Sequence, residues 1–593
     1  MEHIGSIRSR LYRAANWFRH APQQGSVNEE PSAISWPELI PLLGLLIPLA
    51  FIRLWLLEEV PSNVTGDEVE YLNDVLRILH KGMGFFALAG DGSQPAINFY
   101  YMAGFVKLLG EDNAIVAMRL SSGVMSLACI VAFYFYLRLK AGPWPSLLAA
   151  GLLGTNFVFL NFSRGSWLNA GTIFFGILSF VLLELALAKR KLWLSGAAGF
   201  AAACAVYGYT AGRVFPLASL AYLGYLGLRR RLHWRTALAH GLVFNVVLLL
   251  VFLPQLVAIS QDFERYTLRA RTTFIGDEHS RSVANVVLGK PFEEPYYGET
   301  DMKGILWHQV TFSTRGFIFL DPAVGGEGRE NARYGPIDEA PVDVVTRILF
   351  FLGMATVLFV HRRDIVQPTI AFLGTIVGLQ IIVTLPPSYA RGLFLLPFVY
   401  LLVGLFLDKA WSLPWTGNLG RAIIVAGVAL VALFNVYHYF DWGRSTELAD
   451  ARWPSIRYEE VPLWVETEKQ NLKEGKPDLH IHTEQWQNLI KNRPATSRTT
   501  PADPRPAVGP GLFVGAGVMG GNKILLEDGD SRLFFDFGTT FATRARATDH
   551  PRDSTRSTRG SLPNGVSLAL PSCIRASSHP GAFWSPQAEH GGS

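Results

Sequence analysis

Three carboxylates crowd the stretch Ser62-Asn63-Val64-Thr65-Gly66-Asp67-Glu68-Val69-Glu70-Tyr71, which follows the first long apolar segment of the chain. Thr65 and Glu68 have the spacing of a capping box, and Val69, Leu72, Val75, Leu76 and Leu79 recur at helical period up to Lys81-Gly82. Asp67 is then the second residue of a short amphipathic helix. A carboxylate there meets free backbone N–H groups and the positive end of the helix dipole, a setting suited to accepting a proton. Taken alone, Thr-x-x-Glu describes only a helix start, so the chemistry depends on where the chain puts it.

Four arginines, Arg119, Arg164, Arg213 and Arg391, lie at the ends of apolar runs. Singly, each reads as an anchor whose long stem reaches to the lipid headgroups. Together they suit phosphate, because a guanidinium offers paired donors in a fixed fork. A ring of them beside Asp67 would hold a phosphate leaving group next to a general base. Single histidines in loops, His279 and His308, read as solvated rather than as metal ligands.

These groups have to be positioned by a membrane protein. The chain has 593 residues, 49% hydrophobic, 17% charged and 12% aromatic. Apolar runs at 36–57, 119–137, 145–162, 167–188, 193–209, 214–228, 237–259, 344–360, 368–385, 392–407 and 422–440 give eleven candidate spans, an all-α polytopic fold of about eleven transmembrane helices. The net charge of +5 comes mainly from short loops (Arg138/Lys140, Lys189/Arg190/Lys191, Arg229/Arg230/Arg231/Arg235, Arg362/Arg363, Lys409/Arg421) that alternate along the chain. That pattern is topological and excludes a nucleic-acid signature. It places the N-terminus in the cytoplasm and Asp67 outside, in keeping with a bacterial inner membrane. Three cysteines without metal-ligand spacing exclude a disulfide framework.

Residues 1–35 form a basic cytoplasmic arm and residues 36–440 the transmembrane domain, with outer loops at 58–118 and 260–343. The first outer loop carries the Asp67 helix, then Gln94-Pro95, then an aromatic run at 96–109 too short to span and suited to the membrane interface. Residues 441–493 read as a small extracytoplasmic region with two helical stretches. Residues 494–593 are rich in Pro, Ser, Thr, Arg and Gly and read as disordered, apart from two apolar strands around an Asp-Gly turn at 520–538. That fragment resembles the opening hairpin of metallo-β-lactamase-fold hydrolases. The His-x-His-x-Asp-His motif of that family is absent, so the fragment is assigned no activity and reads as a fusion scar or a shifted reading frame.

The order of motifs over residues 36–440 resembles the GT-C membrane glycosyltransferases, in particular the bacterial protein-mannosyltransferase-like and aminoarabinose-transferase-like families. The stretches that carry the resemblance are Asp67-Glu68-x-x-Tyr71, Pro95 with its aromatic run to Lys107-Leu108-Leu109-Gly110, Arg119-Leu120-Ser121-Ser122, Ser163-Arg164, Tyr207-Gly208-Tyr209-Thr210-Ala211-Gly212-Arg213, and Arg391 with Leu395-Leu396-Pro397. The resemblance implies a polyprenyl-phosphate-linked sugar donor, an extracytoplasmic site and a first-loop Asp essential for transfer, carried onto Asp67. Asp67 would take the proton of an acceptor hydroxyl on a lipid, glycan or protein as it attacks the anomeric carbon with inversion. Arg391 would stabilise the departing lipid phosphate, helped by Arg119, Arg164 or Arg213. Tyr71, Gln94, Tyr207 and Tyr209 are candidates for the substrate pocket.

Relatives often carry His-Pro-Pro where this chain reads Gln94-Pro95-Ala96, and Gln cannot titrate, so a histidine-dependent role does not transfer. No cofactor is firmly implied. Glu68 is a second candidate catalytic carboxylate, as an acceptor-positioning group or a ligand for a divalent cation, although its capping role is the simpler assignment. A different class of function, a transporter or flippase of lipid-linked sugars, would place charges near the bilayer midplane and show internal repeats. No clear repeat is present, and Glu184 is the one acid well inside an apolar run.

Overall fold

The computed structural model describes residues 36–89, 94–287, 292–319, 333–335, 339–360, 365–413, 416–445, 455–481 and 483–491, together with three strands nearer the C-terminus. The basic arm 1–35 and most of 494–593 lie outside the described residues. The chain divides into two compact units, residues 1–506 with 515–522, and residues 507–514 with 523–593.

The first unit is helical. Helix α1 (Trp36–Leu54) leads to strand β1 (Val64–Thr65), helix α2 (Gly66–His80), strands β2 (Leu88–Ala89) and β3 (Gln94–Pro95), and helix α3 (Ile97–Leu109). There follow α4 (Ala114–Arg138), α5 (Pro143–Thr155), α6 (Phe157–Arg164), α7 (Asn169–Ala188), α8 (Leu192–Gly208), α9 (Val214–Leu228) and α10 (Trp234–Gln261). The second long loop folds as α11 (Phe263–Arg271), α12 (Glu278–Val287) and α13 (Met302–Phe317). After α14 (Val344–Val360) come α15 (Val366–Ile376), a π-helical turn (Val377–Ile381), the single turn α16 (Tyr389–Gly392), α17 (Leu396–Trp411) and α18 (Gly417–Gly443). Strand β4 (Ser455–Ile456) and helices α19 (Val461–Glu474) and α20 (Glu484–Lys491) close the unit.

Each of the eleven apolar runs is helical. Five helices are long and apolar enough to cross a membrane, among the described residues, or six if the pair α5 and α6, bent by 62°, is one span. The bend comes at Asn156, whose side chain caps the new helix by accepting from Phe159 N at 2.9 Å. The runs at 192–208, 344–359 and 366–381 are shorter apolar helices. Apolar composition marks a run, whereas helix length depends on where backbone caps fall.

Two of the apolar cores bear on the site. One is built from α4 to α7, α9 and α17, around Phe133, Phe159, Phe180 and Phe398. The other joins α2, α3 and α19 around Leu72, Phe99, Val465 and Trp464. Strand β1 pairs antiparallel with β4, Val64 opposite Ile456, which ties residues 455–491 to the start of α2. Trp464 Nε1 donates to Asn73 Oδ1 at 2.8 Å, and Asn73 Nδ2 to Leu479 O at 2.8 Å, so a polar seam fastens this cap along α2.

In the second unit, β5 (Leu512–Val514), β6 (Lys523–Asp528) and β7 (Ser531–Asp536) form one antiparallel sheet in the order given. Asp528 pairs with Ser531, so β6 and β7 are the hairpin read at 520–538, with β5 added along β6.

Candidate active site

The start of α2 is built as its sequence suggests. Thr65 is extended (φ −69°, ψ 159°), its hydroxyl accepts from Glu68 N at 3.3 Å, and Thr65 N donates to Glu68 Oε2 at 3.1 Å, a complete capping box. Glu68 goes further than a cap. Its Oε1 accepts from Arg119 Nε at 2.8 Å and from Ser166 N at 3.0 Å, and its Oε2 from an Arg119 terminal nitrogen at 3.0 Å. Both side chains are fully buried.

Arg119 spends its remaining donors on Leu57 O, Pro61 O and Asn63 O, at 3.0, 3.2 and 2.9 Å. All five of its N–H groups are taken, and the ring of Tyr458 from the cap lies 4.8 Å from its guanidinium. Glu68 therefore has both oxygens enclosed and occupied, and Arg119 has all five of its donors engaged. Burial also makes this pair depend on both partners, because an unpaired charge there would be strongly unfavourable.

Arg164 is held by backbone carbonyls through its terminal nitrogens, while its Nε has no partner among the described residues. Also fully buried, it donates to Ile52 O, to Trp55 O at 2.6 Å, to Leu56 O at 3.2 Å and to Val60 O at 2.7 Å. It caps the carbonyls left open where α1 ends, with Phe440 4.8 Å from its guanidinium. Arg53, which sequence reading passed over, does comparable work inside α1, donating to Ser126 Oγ at 2.7 Å and Gly154 O at 2.7 Å.

Asp67 contrasts with its neighbour. Its side chain is 43% exposed at the N-terminus of α2, and its charged partner is Arg333, 4.0 Å away. Arg333 comes from the second long loop and carried no signal in the sequence beyond being one basic residue in a polar segment. What brings it here is its surroundings. Asn161 Nδ2 donates to Arg333 O at 3.0 Å, and the buried ring of Tyr334 stacks on Phe162 at 5.0 Å and meets Trp167 at 5.7 Å. Phe162 and Trp167 flank Ser166, the same residue whose backbone holds Glu68.

A second group of expected residues assembles farther along. Tyr71, half-buried on α2 with its ring 5.1 Å from Phe99, accepts at its hydroxyl from Gln94 Nε2 at 3.1 Å. The next residue, Pro95, lines a small cavity together with Tyr207, Arg213, Phe252, Gln255 and Tyr266. Tyr207 is buried and its hydroxyl donates to Val251 O at 2.7 Å, so this ring is a wall. Arg213 is exposed at the end of a 3₁₀ turn (Thr210–Arg213) and donates to the Tyr266 hydroxyl. The turn needs its glycines: a Cβ at Gly208 would come 2.1 Å from Thr172 Oγ1, and one at Gly212 2.0 Å from Ala205 O. Tyr209 stacks on Phe394 at 6.0 Å while its N–H donates to Thr172 Oγ1 at 2.8 Å.

Arg391 stands apart. It is half-buried on α16 and donates to Thr384 O at 2.8 Å, and among the described residues it contacts none of the other expected site residues. Gln380 of the π-helical turn holds this segment by accepting from Ser388 N at 3.0 Å and donating to Ser388 O at 3.2 Å. No group of three or more His, Cys, Asp or Glu side chains converges among the described residues. His308 pairs with Glu299 at 3.1 Å in the second loop.

Residues 93–257 match the family model described as dolichyl-phosphate-mannose-protein mannosyltransferase. That segment holds Arg119, Arg164, Arg213 and every lining residue of the cavity except Tyr266. No curated protein sequence matches the chain. Among solved structures, the chain is similar to the protein O-mannosyltransferase Pmt1-Pmt2 complex of S. cerevisiae bound to the sugar donor, with 18% identity, a TM-score of 0.32, and coverage of 46% of this chain and 39% of that one. It is also similar to ArnT from Cupriavidus metallidurans bound to undecaprenyl phosphate (14% identity, TM-score 0.40, 73% and 78% covered). A third likeness is to the Archaeoglobus fulgidus oligosaccharyltransferase in the apo form (13% identity, TM-score 0.43, 70% and 57% covered). The chain thus spans well under two thirds of the yeast and archaeal chains. Likenesses this low in score assign neither substrate nor activity.

Proposed function

We propose that this chain, whose residues 93–257 match a mannosyltransferase family model, is a GT-C membrane glycosyltransferase, an inverting enzyme that moves a sugar from a polyprenyl-phosphate donor to an acceptor hydroxyl on the extracytoplasmic face of the membrane. The observation that carries this reading is the state of Asp67: an accessible carboxylate at a helix N-terminus, on a turn made rigid by the buried Glu68 and Arg119 pair directly beside it. Asp67 accepts the proton of the acceptor hydroxyl as that oxygen attacks the anomeric carbon. The C–O bond to the lipid phosphate breaks on the opposite face, and the phosphate leaves as an anion.

Cations that remain accessible are the ones available to that anion. Arg213 at the cavity mouth is exposed, Arg391 keeps donors beyond its bond to Thr384 O, and Arg333 sits 4.0 Å from Asp67. Arg333 balances the charge of the base in the free site. Tyr71, with its hydroxyl held by Gln94, links the Asp67 helix to the cavity of Arg213. The acceptor and the sugar follow no contact described above and are left to the assay.

Purified protein given undecaprenyl-phosphate-linked sugars and a hydroxyl acceptor should form a covalent product of inverted anomeric configuration. Asp67→Asn should lower turnover by about 10²–10⁴-fold. Undiminished turnover in that variant would remove Asp67 from the mechanism, and counterflow of lipid-linked sugar without product would replace transfer by transport.

A further inference from the structure

Gln255 lies in α10, a helix of 28 residues that is long and apolar enough to cross a membrane and is mostly exposed on the surface of the protein. It is about 9 Å from the end of the helix at 1.5 Å per residue. Only 1% of it is exposed, yet neither its amide oxygen nor its amide nitrogen has a partner among the described residues. A buried primary amide with both ends open is costly in an apolar helix, and such residues are kept where something polar arrives to meet them. Pro254 precedes it and cannot donate to Leu250 O, so the backbone here is polar as well.

The small cavity shows what could arrive. Gln255 lines its inner wall, and Arg213, exposed, stands among the lining residues with Tyr266. Because Arg213 donates to the Tyr266 oxygen, the hydroxyl proton of Tyr266 is available to a further acceptor. Two donors at the mouth therefore suit an anion. The amide inside is different, since it presents a donor and an acceptor together, which matches a hydroxyl group and is wasted on a phosphate oxygen. The interior holds roughly one water-sized group, too little for a ring and enough for one hydroxyl.

We propose that Gln255 is a specificity-determining residue that reads one sugar hydroxyl of a glycosyl-phosphate lipid whose phosphate rests on Arg213. This rests on the lipid-linked donor of the proposed function. It adds that recognition of the sugar is made through an amide within a membrane-spanning helix, separate from the Asp67 end of α2. A ligand carrying the phosphate alone leaves the amide unmatched and is bound less tightly.

The test is binding of undecaprenyl phosphate and of undecaprenyl-phosphate-mannose, -glucose and -arabinose to the full chain in detergent, compared between the native protein and Gln255→Leu. The native protein should prefer one linked sugar over the bare lipid phosphate. Gln255→Leu should weaken that lipid by about tenfold and leave undecaprenyl phosphate unchanged. Gln255→Glu, which keeps the shape and the acceptor, should recover part of the preference and serves if Gln255→Leu does not fold. Equal loss for all four lipids, or no loss for any, would overturn the proposal, the latter meaning that the cavity holds a buried water only. Equal affinity of the native protein for all four would also overturn it. If the native protein binds none of them, the lipid-linked donor itself fails, a result distinct from the others.

Discussion

Two adjacent residues of one helical turn meet opposite fates. Glu68 faces inward to Arg119, Ser166 N and Thr65 N, with no exposed surface and no free oxygen. Asp67 faces outward, 43% exposed, beside a guanidinium 4.0 Å away. The same division separates the arginines. Arg119 and Arg164 are buried and committed to backbone carbonyls, whereas Arg213 is exposed and Arg391 half-buried. The buried set holds the backbone still, and the accessible set is left to meet a substrate. A charged residue at the edge of a membrane span is thus not by itself a binding group, and what separates these four is whether the guanidinium is buried among the groups it binds.

The sharpest way to break this comparison is to exchange roles between neighbours. Asp67→Asn should cost activity while leaving thermal stability unchanged. Glu68→Gln should do the reverse, lowering stability by about 3–5 kcal/mol because Arg119 is left buried without its counter-charge. The paired replacement Glu68→Met with Arg119→Met should not restore that loss, because Leu57 O, Pro61 O, Asn63 O and the Thr65 and Ser166 N–H groups would lose these partners in a buried setting. Denaturant unfolding of Glu68→Met, Arg119→Met and the double variant measures this, and independent, additive losses would mean the two side chains do not act as a unit.

A smaller effect separates the arginines. Arg213→Leu should raise KM for the lipid-linked donor by roughly 10- to 100-fold with little change in melting temperature, as expected for loss of a charged contact to an anion. Arg164→Leu should lower the melting temperature without raising that KM. A reversed pattern in steady-state kinetics and thermal scans would show that the phosphate binds elsewhere.

The smallest effect concerns the cap that ties down α2. Burial pushes the Glu468 carboxyl up to about 7, with Leu479 N donating to its other oxygen at 2.7 Å. The folded cap therefore holds a proton that the unfolded chain releases at its ordinary carboxylate range. That contribution is complete at acid pH and fades as pH rises towards about 7. Hydrogen exchange over residues 461–491 should be slower, relative to intrinsic rates, at pH 5 than at pH 8, and Glu468→Gln should flatten the difference. Faster exchange at pH 5 would refute it.

Much of this was legible in residue order. The capping box at Thr65 and Glu68, the short amphipathic helix after it and the apolar runs are local patterns, set by side chains within a few positions of one another, and each is present in the fold. Gln94 bonds Tyr71, and Tyr207 and Arg213 line one cavity, contacts between residues that the sequence singles out. Arg333 and Gln255 were not legible. One is a basic residue in a long polar loop and the other a lone amide in an apolar run, and neither has a periodicity or a spacing that marks it.

What the residue order determined, then, is the membrane class, the helix that presents Asp67 and the family likeness, because these depend on local periodicity and on composition. What only the tertiary structure decided is which charges are free. Arg119 near the start of α4, Arg164 at the end of α6 and Arg213 just before α9 all sit at the edges of apolar runs, and the sequence pattern does not tell them apart. The difference arises because α1 ends in open carbonyls beside the first two, and a buried guanidinium there meets groups that no water could reach.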